Sequence, residues 1–223
     1  VDGARTPFLK ARGEAGPFAA ADLAVAAGRA LLARMPFAPS ALDEVIVGCV
    51  IPAPDEANIA RIIALRLGCG KAVPAFTVQR NCASGLQALA SARERISAGR
   101  AQLILAGGTE AMSRAPIQWN SAMTAWLARL MRARGPWARL RAAAAFRPAQ
   151  LKPVFSLLLG LTDPLVKLNM GQTAEVIAER FAIAREQQDA YAMESHRRLA
   201  AACDAGHMTD EIEPLFDARG RVH

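Results

Sequence analysis

The stretch Val78-Gln79-Arg80-Asn81-Cys82-Ala83-Ser84-Gly85-Leu86-Gln87-Ala88-Leu89 places a thiol where an apolar run gives way to a helical pattern rich in Ala and Leu. The first N–H groups of a helix have no internal partner and carry partial positive charge. A thiol at such a point has its thiolate favoured, and the thiolate is the nucleophile. The same position also suits a small buried residue at a strand-to-helix junction, because free cysteine is among the most buried residue types. From position alone both readings stand.

The remaining chemistry-bearing side chains are sparse. Cys49, Cys69 and Cys203 are widely scattered, with no CxxC pair and no matching histidine cluster. That spacing argues against zinc and against a disulfide framework, and it fits a reducing cytoplasm. His196 sits in the charged run Glu194-Ser195-His196-Arg197-Arg198, His207 follows a glycine at a helix end, and His223 is terminal. None has the setting of a general base.

The elements that must position Cys82 can be read from periodicity. Val1 to Arg5 reads as the tail of an opening strand. Asp22 is placed to cap a helix carrying Leu23, Ala26, Ala27, Ala30 and Leu31, which ends before Pro36. Val45 to Ile51 and Val73 to Val78 are short apolar runs that read as buried strands, as does Leu103 to Ala106. Helices are expected over Asn58 to Leu67, stopped by Gly68-Cys69-Gly70, and from Cys82 to about Ala98, ended by Gly99. Gly107-Gly108 reads as a tight turn. This alternation predicts an α/β fold, a mostly parallel sheet with helices on both faces. The helix after Cys82 is nearly free of charge until Arg93, so it is expected to lie deep. Open α/β sheets place reactive groups at the carboxyl ends of their strands.

From Pro116 the alternation stops. Trp119, Met123, Trp126, Leu127, Leu130 and Met131 fit one helix face, with Arg129 and Arg132 beside it. Gly135-Pro136 breaks that helix, and Trp137, Leu140 and Ala144 begin a second amphipathic piece. Pro148 and Pro153 end it; Val154 to Leu161 is a short apolar segment, and Gln172 to Phe181 and Arg185 to Ala205 are two further helices. No apolar run approaches ~18 residues and no N-terminal secretion pattern is seen, so neither a membrane span nor export is expected.

Charge is concentrated in the same region. Between Ala111 and Thr162 there is no acidic residue, while Arg114, Arg129, Arg132, Arg134, Arg139, Arg141, Arg147 and Lys152 are basic and all three tryptophans are present. These eight exceed the whole chain's formal +7, so the remainder is close to neutral. The high pI therefore belongs to one segment and is not a nucleic-acid signature. Three readings stand for Trp119–Leu161: contact with another subunit or partner, which is favoured, recognition of a ligand's phosphates, or a peripheral membrane contact.

In chain order, Arg5-Thr6-Pro7-Phe8, Asp43-Glu44-Val45-Ile46-Val47-Gly48, Asn58-Ile59-Ala60-Arg61, Asn81-Cys82-Ala83-Ser84-Gly85-Leu86-Gln87, Ala106-Gly107-Gly108-Thr109-Glu110-Ala111-Met112-Ser113, Met170-Gly171-Gln172-Thr173-Ala174-Glu175 and Arg185-Glu186-Gln187-Gln188-Asp189 resemble, in register, the motifs of the thiolases. The resemblance implies the first half of the thiolase fold. Residues 1–115 would form its N-terminal α/β domain. Residues 116–223 would form the inserted, mainly helical loop domain and the start of the connection to a second half. It implies acyl-CoA and coenzyme A as substrates, with no permanently bound cofactor and no metal. Cys82 would attack the ketone of a 3-ketoacyl-CoA, the acetyl-CoA enolate would leave, and the acyl thioester would await a second CoA. Backbone N–H groups near the helix start, that of Cys82 included, would stabilise the oxyanion. Gly85 would keep that approach uncrowded, or simply let the helix pack tightly.

By the same resemblance Met170 and Gly171 match the Met-Gly of the acyl pocket, although Met170 equally suits ordinary loop-domain core. Asn169 stands where short-chain biosynthetic thiolases have His, which tilts the expectation to longer chains and fatty-acid degradation. Ala184 replaces the usual Ser before Arg185-Glu186, removing a helix cap worth ~1 kcal/mol. The family's base His and second catalytic Cys belong to motifs absent from these residues, so this chain alone is expected to be inactive. A homo-oligomer, dimer or tetramer, is implied. The long basic Trp119–Leu161 stretch is more like the thiolase subunits of fatty-acid oxidation complexes. The alternatives are another thiolase-fold condensing enzyme, against which the Cys82 motif and Met170-Gly171 speak, or a non-catalytic CoA- or lipid-binding relative.

Overall fold

The computed structural model describes residues 1–10 and 14–223. Val1–Arg114 and Phe181–His223 make one compact unit, and Ala115–Arg180 makes a second.

At the centre of the first unit is a three-stranded parallel sheet in the order β2-β1-β3, with β1 at Glu44–Gly48, β2 at Ala75–Val78 and β3 at Ile104–Gly108. All five residues of β1 are buried, as a central strand covered on both faces requires. Its two-residue period assigns the faces. Val45 and Val47 join Val25 of α1 (Ala20–Ala33) and Ile59 and Ile63 of α2 (Ile59–Arg66) in one cluster. Ile46 points the other way, onto Ala88 and Ala92 of α3 (Ser84–Ser97). Burying side chains of this kind stabilises by about 1.5–3 kcal/mol each. Helices thus cover both faces, as the alternation predicts. At the amino edge the buried Glu44 pairs with Arg95 of α3, and the Asp43 carboxylate accepts from the N–H groups of Gln102 and Leu103 at 2.7 and 2.9 Å.

Several local expectations are corrected. Asp22 is not the cap of α1: it sits one turn in, and its carboxylate reaches back to accept the N–H of Ala19, the residue at the cap position, at 2.9 Å. Val1 to Arg5 is not a strand, because only Arg5 finds a backbone partner, bridging to Ile212. The β1 ladder stops at Gly48 and does not run to Ile51. The N–H groups of Val50 and Ile51 turn instead to the Glu110 carboxylate, at 2.8 and 3.2 Å. β2 starts after Pro74, which has no N–H to give a ladder. Gly107 and Gly108 do not turn the chain; they continue β3, opposite Val47 and Gly48. The helix after Cys82 begins at Ser84 and ends where expected, before Gly99 at φ 67°. Ser84, Ala88 and Ala92 are buried against the sheet, whereas Leu86 and Leu89 are exposed on the opposite side.

The last helix of this unit, α8, as numbered along the whole chain (Arg185–Asp204), has no buried residue and carries i,i+4 ion pairs Arg185–Asp189 and Arg198–Glu194. Gln187 accepts the Ala184 N–H at 2.9 Å, which offsets the missing side-chain cap.

In the second unit a short antiparallel pair, β4 (Ile117–Trp119) and β5 (Pro153–Phe155), brackets α4 (Ser121–Arg132) and α5 (Pro136–Ala144). The helices α6 (Ser156–Gly160) and α7 (Met170–Arg180) follow. Asn120 caps α4 by accepting from Met123 N–H at 2.9 Å, and its amide donates to the carbonyls of Gln150 and Lys152. Trp126 donates its indole N–H to the Ala142 carbonyl at 2.9 Å and meets Phe146 edge-on, joining α4 to α5. Two members of the expected helix face depart from it. Trp119 is a strand residue paired with Pro153, and Met131, in the last turn of α4, is exposed. Among the described residues no helix is long and apolar enough to cross a membrane.

Gly48 is the most constrained position of the sheet: a Cβ there would fall on the Ser84 carbonyl and 2.6 Å from Gly85 N. At Gly107, in the neighbouring strand, a Cβ would meet nothing within 4 Å. Gly48→Ala is therefore expected to cost about 3 kcal/mol, and Gly107→Ala under about 1 kcal/mol. Urea unfolding of the two variants measures the difference, and equal losses would contradict this account of the junction.

Candidate active site at the carboxyl edge of the sheet

Because the three strands are parallel, their carboxyl ends lie on one edge. The chain leaving β2 crosses this edge through Gln79–Ala83 before entering α3. Cys82 is exposed on that crossing, one residue ahead of the cap residue Ala83. The reading of Cys82 as a small buried junction residue is overturned. The burial it supposed falls on Ser84, which is 3% exposed.

A small hydrogen-bonded knot holds the crossing. The Ser84 hydroxyl donates to the Asn81 carbonyl at 2.6 Å and accepts the Arg80 N–H at 2.8 Å. Ala83 N–H donates to Arg80 O at 3.1 Å, and Ser84 N–H to Asn81 O at 3.0 Å. Asn81 adopts φ 48°, a left-handed conformation that Asn tolerates better than most residues. This turn is what brings the following thiol to the surface. Beneath it, Gly48, Gly85 and Gly108 let backbone meet backbone: a Cβ on Gly108 would stand 2.9 Å from Gly85 Cα. Gly85 therefore serves close packing of the helix on the sheet.

The other thiols differ in setting. Cys49 is buried with its sulfur 3.7 Å from Glu110 Oε1. Burial first, then the Glu110 charge, pushes its pKa up to about 12, so it stays a thiol at ordinary pH. Burial also pushes Cys69 up. Cys203 is exposed near the end of α8. An exposed thiol on a braced loop at a helix start is suited to covalent acyl transfer.

Glu110 is a residue whose position the sequence leaves without a role. It ties the segment after β1 to the segment after β3 through Val50, Ile51 and Cys49. The available signal is a carboxylate directly after an apolar run ending in Gly107-Gly108-Thr109.

Met170 and Gly171 open α7 in the second unit, whereas Cys82 lies in the first. Met170 is exposed, not core. Asn169 precedes it as a cap, accepting the Gln172 N–H at 2.9 Å while its own N–H donates to Gln172 Oε1 at 2.9 Å. That exchange gives Asn169 a structural use. His196 and His207 are exposed, and His223 lies edge-on to Phe18 with Nε2 3.4 Å from Asp217. Among the described residues no group of three His, Cys, Asp or Glu side chains is arranged to hold a metal ion.

Comparison with known proteins gives a consistent result. The family described as "Thiolase, N-terminal domain" matches residues 1–221. The mitochondrial 3-ketoacyl-CoA thiolase of Rattus norvegicus is 36% identical over 212 residues, covering 95% of this chain and 49% of that protein. The crystal structure of human mitochondrial 3-ketoacyl-CoA thiolase in complex with CoA superposes with a TM-score of 0.80 at 33% identity, covering 99% of this chain and 51% of that one. The Bacillus anthracis acetyl-CoA acetyltransferase gives 0.77 at 32% identity, covering 95% and 49%. The chain thus spans about half the length of the curated relatives it matches. Its parallel sheet, its braced cysteine loop and this match over residues 1–221 together show that the chain belongs to the thiolase family, as an N-terminal domain.

Proposed function

We propose that this chain supplies the nucleophilic half of a thiolase, an acyltransferase acting on 3-ketoacyl-CoA with Cys82 as the acylated residue. The observation that carries the reading is the exposed Cys82 thiol on a loop braced by the buried Ser84 hydroxyl. In the degradative direction the thiolate attacks C3 of the substrate and the C2–C3 bond breaks. The acetyl-CoA enolate leaves and takes up a proton, and free CoA then displaces the acyl group from sulfur. The Cys82 N–H would stabilise the oxyanion of each addition step, an effect worth about 3 kcal/mol for a well-aimed donor. The rat relative and the human structure are named 3-ketoacyl-CoA thiolases and the Bacillus anthracis structure an acetyl-CoA acetyltransferase, which supports this reaction class. Met170 and Gly171 would line the acyl chain, and residues 116–223 would supply the loop domain over the pantetheine and the start of the connection to a second half. The base and the second cysteine of the cycle would come from outside these 223 residues. A homo-oligomer is the assembly proposed.

Protein isolated from its source, incubated with a 3-ketoacyl-CoA and mapped by peptide mass, is expected to carry the acyl increment on Cys82. A folded protein with Cys82 unmodified would sink the assignment. Iodoacetamide at pH 8 is expected to label Cys82 in the folded chain and to spare Cys49 and Cys69 until denaturant is added; early labelling of Cys49 would contradict its raised pKa. Ser84→Ala removes two hydrogen bonds from the loop. In the complete enzyme it is expected to lower kcat about tenfold or more with little change in KM, so an unchanged kcat would refute the positioning role.

A further inference from the structure

We infer that the corner joining α4 to α5 is a docking surface for an anionic lipid bilayer, a property independent of the chemistry at Cys82. Three large apolar side chains protrude there: Met131 at 84% exposure, Trp137 at 78% and Leu140 at 60%. Trp137 and Leu140 are three residues apart on α5 and so share a face. Arg129, Arg132, Arg134, Arg139 and Arg141 surround them, all exposed. Among the described residues none of these arginines joins an ion pair. No acidic residue occurs anywhere from Ala111 to Thr162 to balance them. The protruding trio is not the seam between the helices, which is made by Trp126 against Ala142 and Phe146.

Charge selects the occupant. A second copy of this corner would bring like charges face to face, which opposes association. A soluble polyanion would satisfy the guanidinium groups and leave three apolar side chains in water. An anionic bilayer satisfies both, with the arginines at the phosphate level and the apolar side chains among the upper acyl carbons, where Trp is favoured. With no helix able to cross a membrane among the described residues, the contact is interfacial.

The test uses the 223-residue chain with vesicles of phosphatidylcholine alone, or of three parts phosphatidylcholine to one of phosphatidylglycerol. Trp119, Trp126 and Trp137 are the chain's three tryptophans, and all lie in the second unit, so their emission reports on this surface and not on apolar patches elsewhere. Co-sedimentation with the mixed vesicles, accompanied by a blue shift and reversed by 1 M salt, is expected. Trp137→Phe should remove most of the shift, because the Trp126 indole is already hydrogen-bonded within the protein. The triple variant Arg132→Glu, Arg134→Glu, Arg139→Glu, checked for folding by circular dichroism, should lower the partition coefficient at least ~100-fold. Equal binding to neutral vesicles, sedimentation without an emission change, or undiminished binding of the triple variant would overturn the proposal. So would an emission change on adding soluble coenzyme A with no response to vesicles.

Discussion

The start of α3 meets the ends of two strands backbone to backbone, and the rest of the first unit depends on that contact. Gly48 closes on Ser84 and Gly85, and Gly85 closes on Gly108, with no side chain between them. A helix held off by even one methyl group would move its first turn away from the sheet. The Ser84 hydroxyl would then lose the fixed setting in which it bridges Arg80 and Asn81. Packing density and reactivity are therefore set by the same atoms. The loop is thus braced from below although its cysteine is at the surface.

A second brace works from the opposite side of β1. Once its ladder ends at Gly48, the chain runs on through Cys49, Val50 and Ile51, whose polar groups converge on Glu110. Thr109, beside Glu110, donates its N–H to the Gly48 carbonyl at 3.0 Å and its hydroxyl to Ala20 O at 2.6 Å. One short segment after β3 thereby fixes the exit of β1 and the start of α1. The cost is a cysteine locked beside a carboxylate, and that proximity, added to burial, keeps the Cys49 sulfur protonated.

What could be read in advance divides along physical lines. β1 was legible because both of its faces are buried and its residues are continuously apolar; α2 and α3 were legible from helical period and from the glycines that end them. Gly107-Gly108 misled because glycine serves both turns and close approach, and only the partner residue, Gly85, distinguishes the two. Asp22 misled because a carboxylate at the cap and one a turn inside leave the same trace in sequence. For the site, Cys82 was visible from its place between strand and helix. Its bracing by Ser84 and the role of Glu110 depend on bonds across four and about sixty residues, which no local pattern encodes.

The chain leaves its first unit after Arg114 and rejoins it at Phe181. To the sheet, everything between is one closed loop, and the entropy of closing such a loop grows only with the logarithm of its length, about 0.6 kcal/mol for each doubling. The excursion can therefore lengthen, shorten or change its surface with almost no thermodynamic effect on the strands and the cysteine loop. The length and outer surface of residues 115–180 can thus vary without loosening the glycine contacts that seat the cysteine loop on the sheet.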